Sequence, residues 1–377
     1  MKKINRFLGN TALAGVMIGS ALLGGCGLGM GNSSETFAAI TAVTPTDGKI
    51  ISLVNEDMGE FCAQSRIDGA LAQEYVTHTD NYAPVPVTLT FESEENTATY
   101  VVRLATDESF RENVAEYETS TTSVTVKNLW VNTKYFWQVE VPTAEGRNVS
   151  KTFTFQTAMT PRTVWWEGVS NTRDIGGYPL AQGGKVAQGK VYRGGMLNEI
   201  TPSGIAAMKE MGVKTILDLR TQGENGAGEQ SPVEGISYIG VADLGIEQAP
   251  FYEIFTDSQK QAMGKLLQVF ANAENYPIYF HCSLGRDRTG TLAYLLNALM
   301  GVEVEYLRMD YMTSAFSVRG TYDAATYMQL EENLNRMFSK LNMDYEGANF
   351  SEKVAAYALS CGLTETEIAA IKQNLTA

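Results

Sequence analysis

Two hydrophobic periods divide the chain. From about residue 40 to 158, apolar and polar residues alternate in short runs rich in Thr, Val and aromatic side chains, at 85–91, 97–104, 123–126, 135–141 and 151–156. A period of two, broken by turn residues, predicts half-buried strands at the spacing of an all-β sandwich. Residues 55–81 lack that alternation and read as an insertion with one helical turn. Beyond Pro161 the pattern changes: apolar runs at 213–220, 236–245 and 278–282 alternate with segments of helical period. Thr201-Pro202 starts a helix that runs to Met211, and residues 257–273 put Met263, Leu266, Leu267 and Phe270 on one face. Further helices are predicted over 289–300, 324–342, 350–360 and after a capping Thr364. Repeated strand–helix alternation predicts an α/β domain with a mostly parallel central sheet flanked by helices. The expected organisation is therefore a sandwich at 40–158 and an α/β domain at 162–377.

Candidate chemistry concentrates in Ile278-Tyr-Phe-His-Cys282-Ser-Leu-Gly-Arg-Asp-Arg288-Thr-Gly290. A buried strand ends at His281-Cys282, a tight loop follows, and a helix begins. That order aims backbone N–H groups and a positive helix end at one small volume, which suits an anion. The same field favours the thiolate form of a cysteine at the head of the loop. Arg288, six positions on, can fold back as a planar fork for two phosphate oxygens. A nucleophile, an amide cradle and a guanidinium clamp are the parts needed to cleave a phosphate ester through a cysteinyl-phosphate. Gly285 and Gly290 have the outer spacing of a nucleotide-binding loop, but Thr291 stands where its lysine belongs, which excludes that chemistry.

The string His-Cys-x-x-Gly-x-Asp-Arg-Thr-Gly resembles the cysteine-dependent tyrosine phosphatase superfamily, in its bacterial secreted branch of tyrosine/serine and lipid phosphatases. About a hundred residues earlier, Asn171-Thr-Arg173-Asp174-Ile-Gly-Gly177 is similar to that branch's opening motif. Arg193, Asp218-Leu-Arg220 and Asp310-Tyr-Met-Thr-Ser314 are similar to shorter family segments. The resemblance implies Cys282 as nucleophile and Arg288 as phosphate clamp. Ser283, Leu284, Gly285, Arg286 and Thr289 would line the phosphate, and His281 would brace the loop. It implies no metal or other cofactor. The general acid is either Asp243, by its place upstream of the nucleophile, or Asp287 inside the loop. Arg286 stands where the family usually has Lys; beside Arg288 it admits phosphoinositides and inositol phosphates as substrates along with phosphotyrosine. The family's substrates imply a phosphorylated protein or a small phosphorylated molecule as the partner.

In the first domain, Leu129-Trp-Val-Asn-Thr-Lys-Tyr135 with Trp137 and Val139 resembles the tyrosine corner of fibronectin type III modules. Nothing there carries chemistry: its acids are scattered, and His78 lies in a polar loop. The domain reads as a spacer or a binding module.

Composition narrows the remaining choices. A net charge of −14 argues against a nucleic-acid partner. With only His78 and His281 in the chain, a histidine-rich metal site is excluded. Cys26, Cys62, Cys282 and Cys361 lack metal-ligand spacing, and Cys62 and Cys361 read as free thiols.

The N-terminus is an address. Residues 1–25 have a basic start and an apolar middle, as an export signal does. Leu23-Gly-Gly-Cys26 resembles the bacterial lipobox, which implies cleavage before Cys26 and lipidation of its thiol. A plain secretory cleavage near Ala39 is the alternative. Losing three basic and no acidic residues takes the charge to −17. Gly- and Ser-rich residues 26–39 would then tether an extracytoplasmic, membrane-anchored protein. Cys26→Ser is expected to abolish fatty-acid incorporation and to release the protein from the membrane fraction; retention of labelled lipid would refute the lipobox reading.

Overall fold

Only some of these patterns reach the same core. The computed structural model describes residues 39–75, 83–94, 99–144, 146–228, 230–316 and 324–377. Cys26, the predicted signal and His78 lie outside the described residues. The described residues form two compact units, one from those within 39–51, 88–126 and 134–156, the other from those within 52–87, 127–133 and 157–377.

The first unit's described residues carry two sheets. Ile40–Thr44, Val87–Ser93 and Ser123–Val126 form one. Lys49–Ile51, Phe153–Thr157, Lys134–Thr143, Tyr100–Ala105 and Ala115–Thr119 pair in that order in the other, with Gly146–Val149 added to Lys134–Thr143. The alternation set by a pleated strand is plain in Lys134–Thr143, where Tyr135, Trp137, Val139 and Val141 are buried. Trp137 packs on Phe153, and Phe91 of one sheet meets Tyr100 of the other.

The second unit is built on a sheet of six strands in the order Arg162–Thr163, Arg173–Asp174, Val191–Gly194, Ile278–His281, Thr215–Asp218, Ser237–Gly240. The last four are parallel to one another, and Arg173–Asp174 is antiparallel to both of its neighbours. Ile278–His281 lies between two parallel partners with all four residues buried. Burial on both faces explains why its text is apolar without alternation. Asp287–Met300 follows it, buried from Thr289 to Met300, and so reads as apolar all round rather than as a stripe. Asp257–Ala271, Ala324–Asp344, Phe350–Ser360 and Glu365–Leu375 stand close to their predicted bounds. The last is closed by a capping box in which Thr364 and Glu367 satisfy each other's backbone N–H.

The last division falls at 156/157, but the second unit also takes residues 52–87 and 127–133 from within the span expected to be sandwich. The segment without strand pattern holds two helices, Glu56–Cys62 and Gly69–Tyr75, which belong to the second unit. Phe61 is fully buried against Phe316, and the Gly69 N–H donates to Glu331. A Cβ on Gly69 would come within 2.7 Å of the Tyr327 carbonyl oxygen, so this close approach requires glycine. Cys62 and Cys361 are both in this unit, buried and unpaired. Burial pushes their thiols up to about 12 and about 11, so both stay neutral. Among the described residues no helix is long and apolar enough to cross a membrane.

Candidate active site

The loop from Cys282 to Arg288 leaves the carboxyl end of a central strand, where open α/β sheets form their crevices. Cys282 is 2% exposed, while Ser283, Leu284, Arg286, Asp287 and Arg288 are partly exposed. The sulfur is thus the floor of a recess, and the loop's other side chains are its rim.

The loop's shape is imposed from behind. Asn171 Nδ2 donates to the Leu284 and Gly285 carbonyls, at 3.1 and 2.9 Å, and Arg193 Nη2 donates to Gly285 at 2.8 Å. Because the trans peptide sets C=O and N–H on opposite sides, tying these carbonyls outward turns the following N–H groups toward the concave side. Gly285 has φ +67°, and a Cβ there would stand 2.3 Å from the Gly194 backbone. Only glycine fits. The helix beginning at Asp287 has no side-chain cap, so its first N–H groups remain available to an anion. Thr289 Oγ1 is buried with no hydrogen-bond partner among the described residues. His281 Nδ1 lies 3.2 Å from the Cys282 carbonyl oxygen, and burial lowers its proton affinity, so the ring is neutral support.

One carboxylate organises the backing. Asp310 is buried between two buried guanidiniums, with Oδ1 on Arg173 Nε at 2.8 Å and Oδ2 on Arg193 Nη1 at 2.6 Å. Tyr178 also donates to Oδ1, and Arg173 reaches Asn171 Oδ1 at 2.5 Å. Burial alone would raise the Asp310 carboxyl, but the charges of Arg173 and Arg193 outweigh it and hold it below the ordinary value. Arg173 therefore serves the phosphate loop through Asn171 and Asp310, just ahead of the turn at Gly176–Gly177. Asp174 holds that turn, accepting from the N–H groups of Gly176 and Gly189.

The rim carries a second set of pairs. Arg288 Nη1 and Nη2 bind Glu224 Oε2 and Oε1 at 2.7 and 2.5 Å, and Nη1 also reaches the Leu219 carbonyl. Burial disfavours the charged form of Arg288, but Glu224 and the nearby Cys282 and Asp218 outweigh it and fix the guanidinium as a cation. Ser283 Oγ donates to Glu224 and accepts from Asn225 Nδ2. The polar Gly-rich segment after the Asp218 strand is thus anchored, with Asn225 in the left-handed region at φ 48°. Arg220, paired with Asp218, holds it through the Asn225 carbonyl at 3.0 Å. Arg286 turns to Asp287, with Nε on Oδ1 at 2.8 Å and Nη2 on Oδ2 at 3.1 Å, and Tyr252 donates its phenol hydrogen to the same Oδ1.

The two candidate acids stand differently. Asp287 is on the loop itself. Gly240 pairs in register with Asp218 and Asp218 with His281, so Asp243 begins two strands away from Cys282, about 10 Å across the sheet. Asp243 is exposed, and its carboxylate accepts the Gly240 N–H at 2.7 Å.

A model described as the tyrosine phosphatase family matches residues 164–377, more than half of the chain. The chain belongs to the tyrosine phosphatase family. A Cupriavidus necator protein named as a tyrosine-protein phosphatase is 26% identical over 173 residues, 40% of this chain and 62% of that one. A tyrosine-protein phosphatase of Nostoc commune is 31% identical over 143 residues, 33% of this chain and 48% of that one. The chain thus spans about half to three fifths of the length of these relatives. Among solved structures, the catalytic core of the S. cerevisiae PP-IP phosphatase Siw14, in complex with citrate, is similar at 18% identity and a TM-score of 0.26, covering 45% of this chain and 93% of that one.

Glu224, Asn225 and Tyr252 escaped the sequence reading, which named Asp310 only within a family segment and gave it no role. For Glu224 a signal existed: the loop after a strand adjacent to the cysteine strand faces the same crevice. For the role of Asp310 the signal was its occurrence with Arg173 and Arg193 in family-like segments, since arginines that become buried need an anion. Tyr252 had none. Asp310→Asn leaves two buried guanidiniums uncompensated, and a loss of about 3–5 kcal/mol in urea unfolding is expected. Glu224 is held down to about 2, chiefly by its hydrogen bonds to Arg288. A depressed carboxyl stabilises the fold fully above its ordinary value of 4.5, and that contribution disappears as pH falls through about 2. Glu224→Gln should therefore flatten the fall of unfolding free energy on the acid side of pH 5, measured by denaturant titration.

Proposed function

We propose that the second unit hydrolyses phosphate monoesters through a cysteinyl-phosphate intermediate. One observation carries this reading: a recessed Cys282 shares a loop with a charged Arg288 and with N–H groups that the backing network turns toward the concave side. In the first step the Cys282 sulfur attacks phosphorus while Arg288 and the loop amides hold the non-bridging oxygens. As the ester P–O bond breaks, the leaving oxygen takes a proton from Asp287. Asp287 is preferred to Asp243 because it sits on the loop itself, while Asp243 follows a strand two removed from that of Cys282. In the second step water attacks phosphorus, gives its proton to the Asp287 carboxylate, and the P–S bond breaks. Thr289, whose buried hydroxyl lacks a partner among the described residues, would turn that hydroxyl to the departing sulfur.

A phosphotyrosine-type monoester is the favoured substrate. Arg286, the second cation that would welcome a polyanionic head group, is paired with Asp287, and Arg288, paired with Glu224, would exchange that carboxylate for a single phosphate. The fibronectin-like first unit is read as a spacer or binding module, and the lipobox cysteine as the anchor that holds the enzyme outside the cytoplasm.

The test is release of p-nitrophenol from p-nitrophenyl phosphate in EDTA. Wild type should turn over, and Cys282→Ser should lose at least about a thousandfold in kcat while still binding phosphate. Equal rates for the two, or a wild type that binds phosphate without turnover, would leave a capture protein instead.

A further inference from the structure

The segment that leads into Asp257–Ala271 contains an unusual turn. The Glu253 N–H donates to the Phe251 carbonyl at 2.7 Å, closing a three-residue turn around Tyr252, whose φ is +59°. A bulky aromatic residue seldom adopts this conformation, which costs on the order of 1–3 kcal/mol and persists only where surrounding contacts enforce it. Gly would adopt it without strain. The contact that the strained turn secures is the bond from the Tyr252 hydroxyl to Asp287 Oδ1 in the phosphate loop.

We propose that Tyr252 is a positioning residue for the proton donor: its phenol fixes the Asp287 carboxyl against the leaving oxygen and receives the negative charge that develops there. This rests on the reading of Asp287 as the acid. Both oxygens are engaged, Oδ1 by Tyr252 and by Arg286 Nε at 2.8 Å and Oδ2 by Arg286 Nη2 alone at 3.1 Å, so the proton is assigned to Oδ2, which accepts from one donor rather than two. A bound phosphate dianion raises the proton affinity of the neighbouring carboxyl and so loads it. When the P–O bond breaks, the proton passes from Asp287 to the leaving oxygen. The new carboxylate then accepts the Tyr252 hydrogen bond, which is stronger to an anion than to a neutral acid.

The groups facing this pair are Arg286 from the loop and Tyr311 from the helix Val304–Met312. Burial, then the neighbouring Tyr311 and Asp287, keep the Tyr252 phenol protonated well beyond the ordinary phenol range, so it remains a donor at every working pH. The sign of its effect follows. A hydrogen bond from a donor favours a carboxylate over its acid form, so losing the donor shifts the alkaline limb of general-acid catalysis upward.

The experiment is the pH profile of kcat for wild type, Tyr252→Phe and Asp287→Asn, on p-nitrophenyl phosphate and on phenyl phosphate, whose leaving group depends more on protonation. Tyr252→Phe is expected to move the alkaline limb up by about half to one pH unit. It should also lower kcat on phenyl phosphate by on the order of tenfold more than on p-nitrophenyl phosphate. Tyr252→Gly, which removes the phenol and the strain together, should move the limb in the same direction, so a poorly folding Phe variant does not remove the test. An unmoved limb with an unchanged ratio between the two substrates, in a folded variant, overturns the role of Tyr252. If Asp287→Asn keeps the wild-type limb and kcat, the premise about the acid fails, and the proposal with it. The loss in Cys282→Ser would still support the phosphatase reading in that case.

Discussion

The loop must present N–H groups to an anion, and a loop left to itself has no reason to hold its carbonyls away. The buried Arg173–Asp310–Arg193 cluster supplies that reason. Arg193 spends one terminal nitrogen on Asp310 and the other on the Gly285 carbonyl. Arg173 orients Asn171, which takes the Leu284 and Gly285 carbonyls. Three buried charges are expensive, and apolar replacements of similar volume are often as stable. Their presence at the back of the loop is therefore better explained by the geometry they impose than by stability alone.

Charge is distributed with little excess. Arg173 and Arg193 share Asp310, Arg220 faces Asp218, Arg286 faces Asp287 and Arg288 faces Glu224. Five guanidiniums are thus set among four carboxylates, so side-chain charge leaves a small positive balance within a chain of net −14. Oriented amides and the uncapped helix start have to provide much of the attraction for a phosphate.

The rim shows how distant segments are recruited to one crevice. Glu224 and Asn225 arrive from the loop after the strand next to the cysteine strand, and Tyr252 from the segment before Asp257–Ala271. Asp310 comes from a helix beyond the loop. Each contacts the loop or its backing through one or two polar atoms, so a change of a single residue in any of these segments alters the site without touching Cys282.

Local text determined what local physics controls. The buried strand ending at Cys282, the glycine at the loop's turn, the helix that follows and the Thr364 cap are legible because burial period, positive φ and capping depend on neighbours a few residues away. Cys282 and Arg288 were readable for the same reason, being six residues apart on one loop. The tertiary structure alone decided that the helices Glu56–Cys62 and Gly69–Tyr75 join the second unit, because their apolar faces do not specify which core will cover them. It also decided that Asp310 serves Arg173 and Arg193, more than a hundred residues away, and that Glu224 faces Arg288. Ion-pair partners at such separations are chosen by how sheet and helices pack, and no period in the sequence encodes that choice.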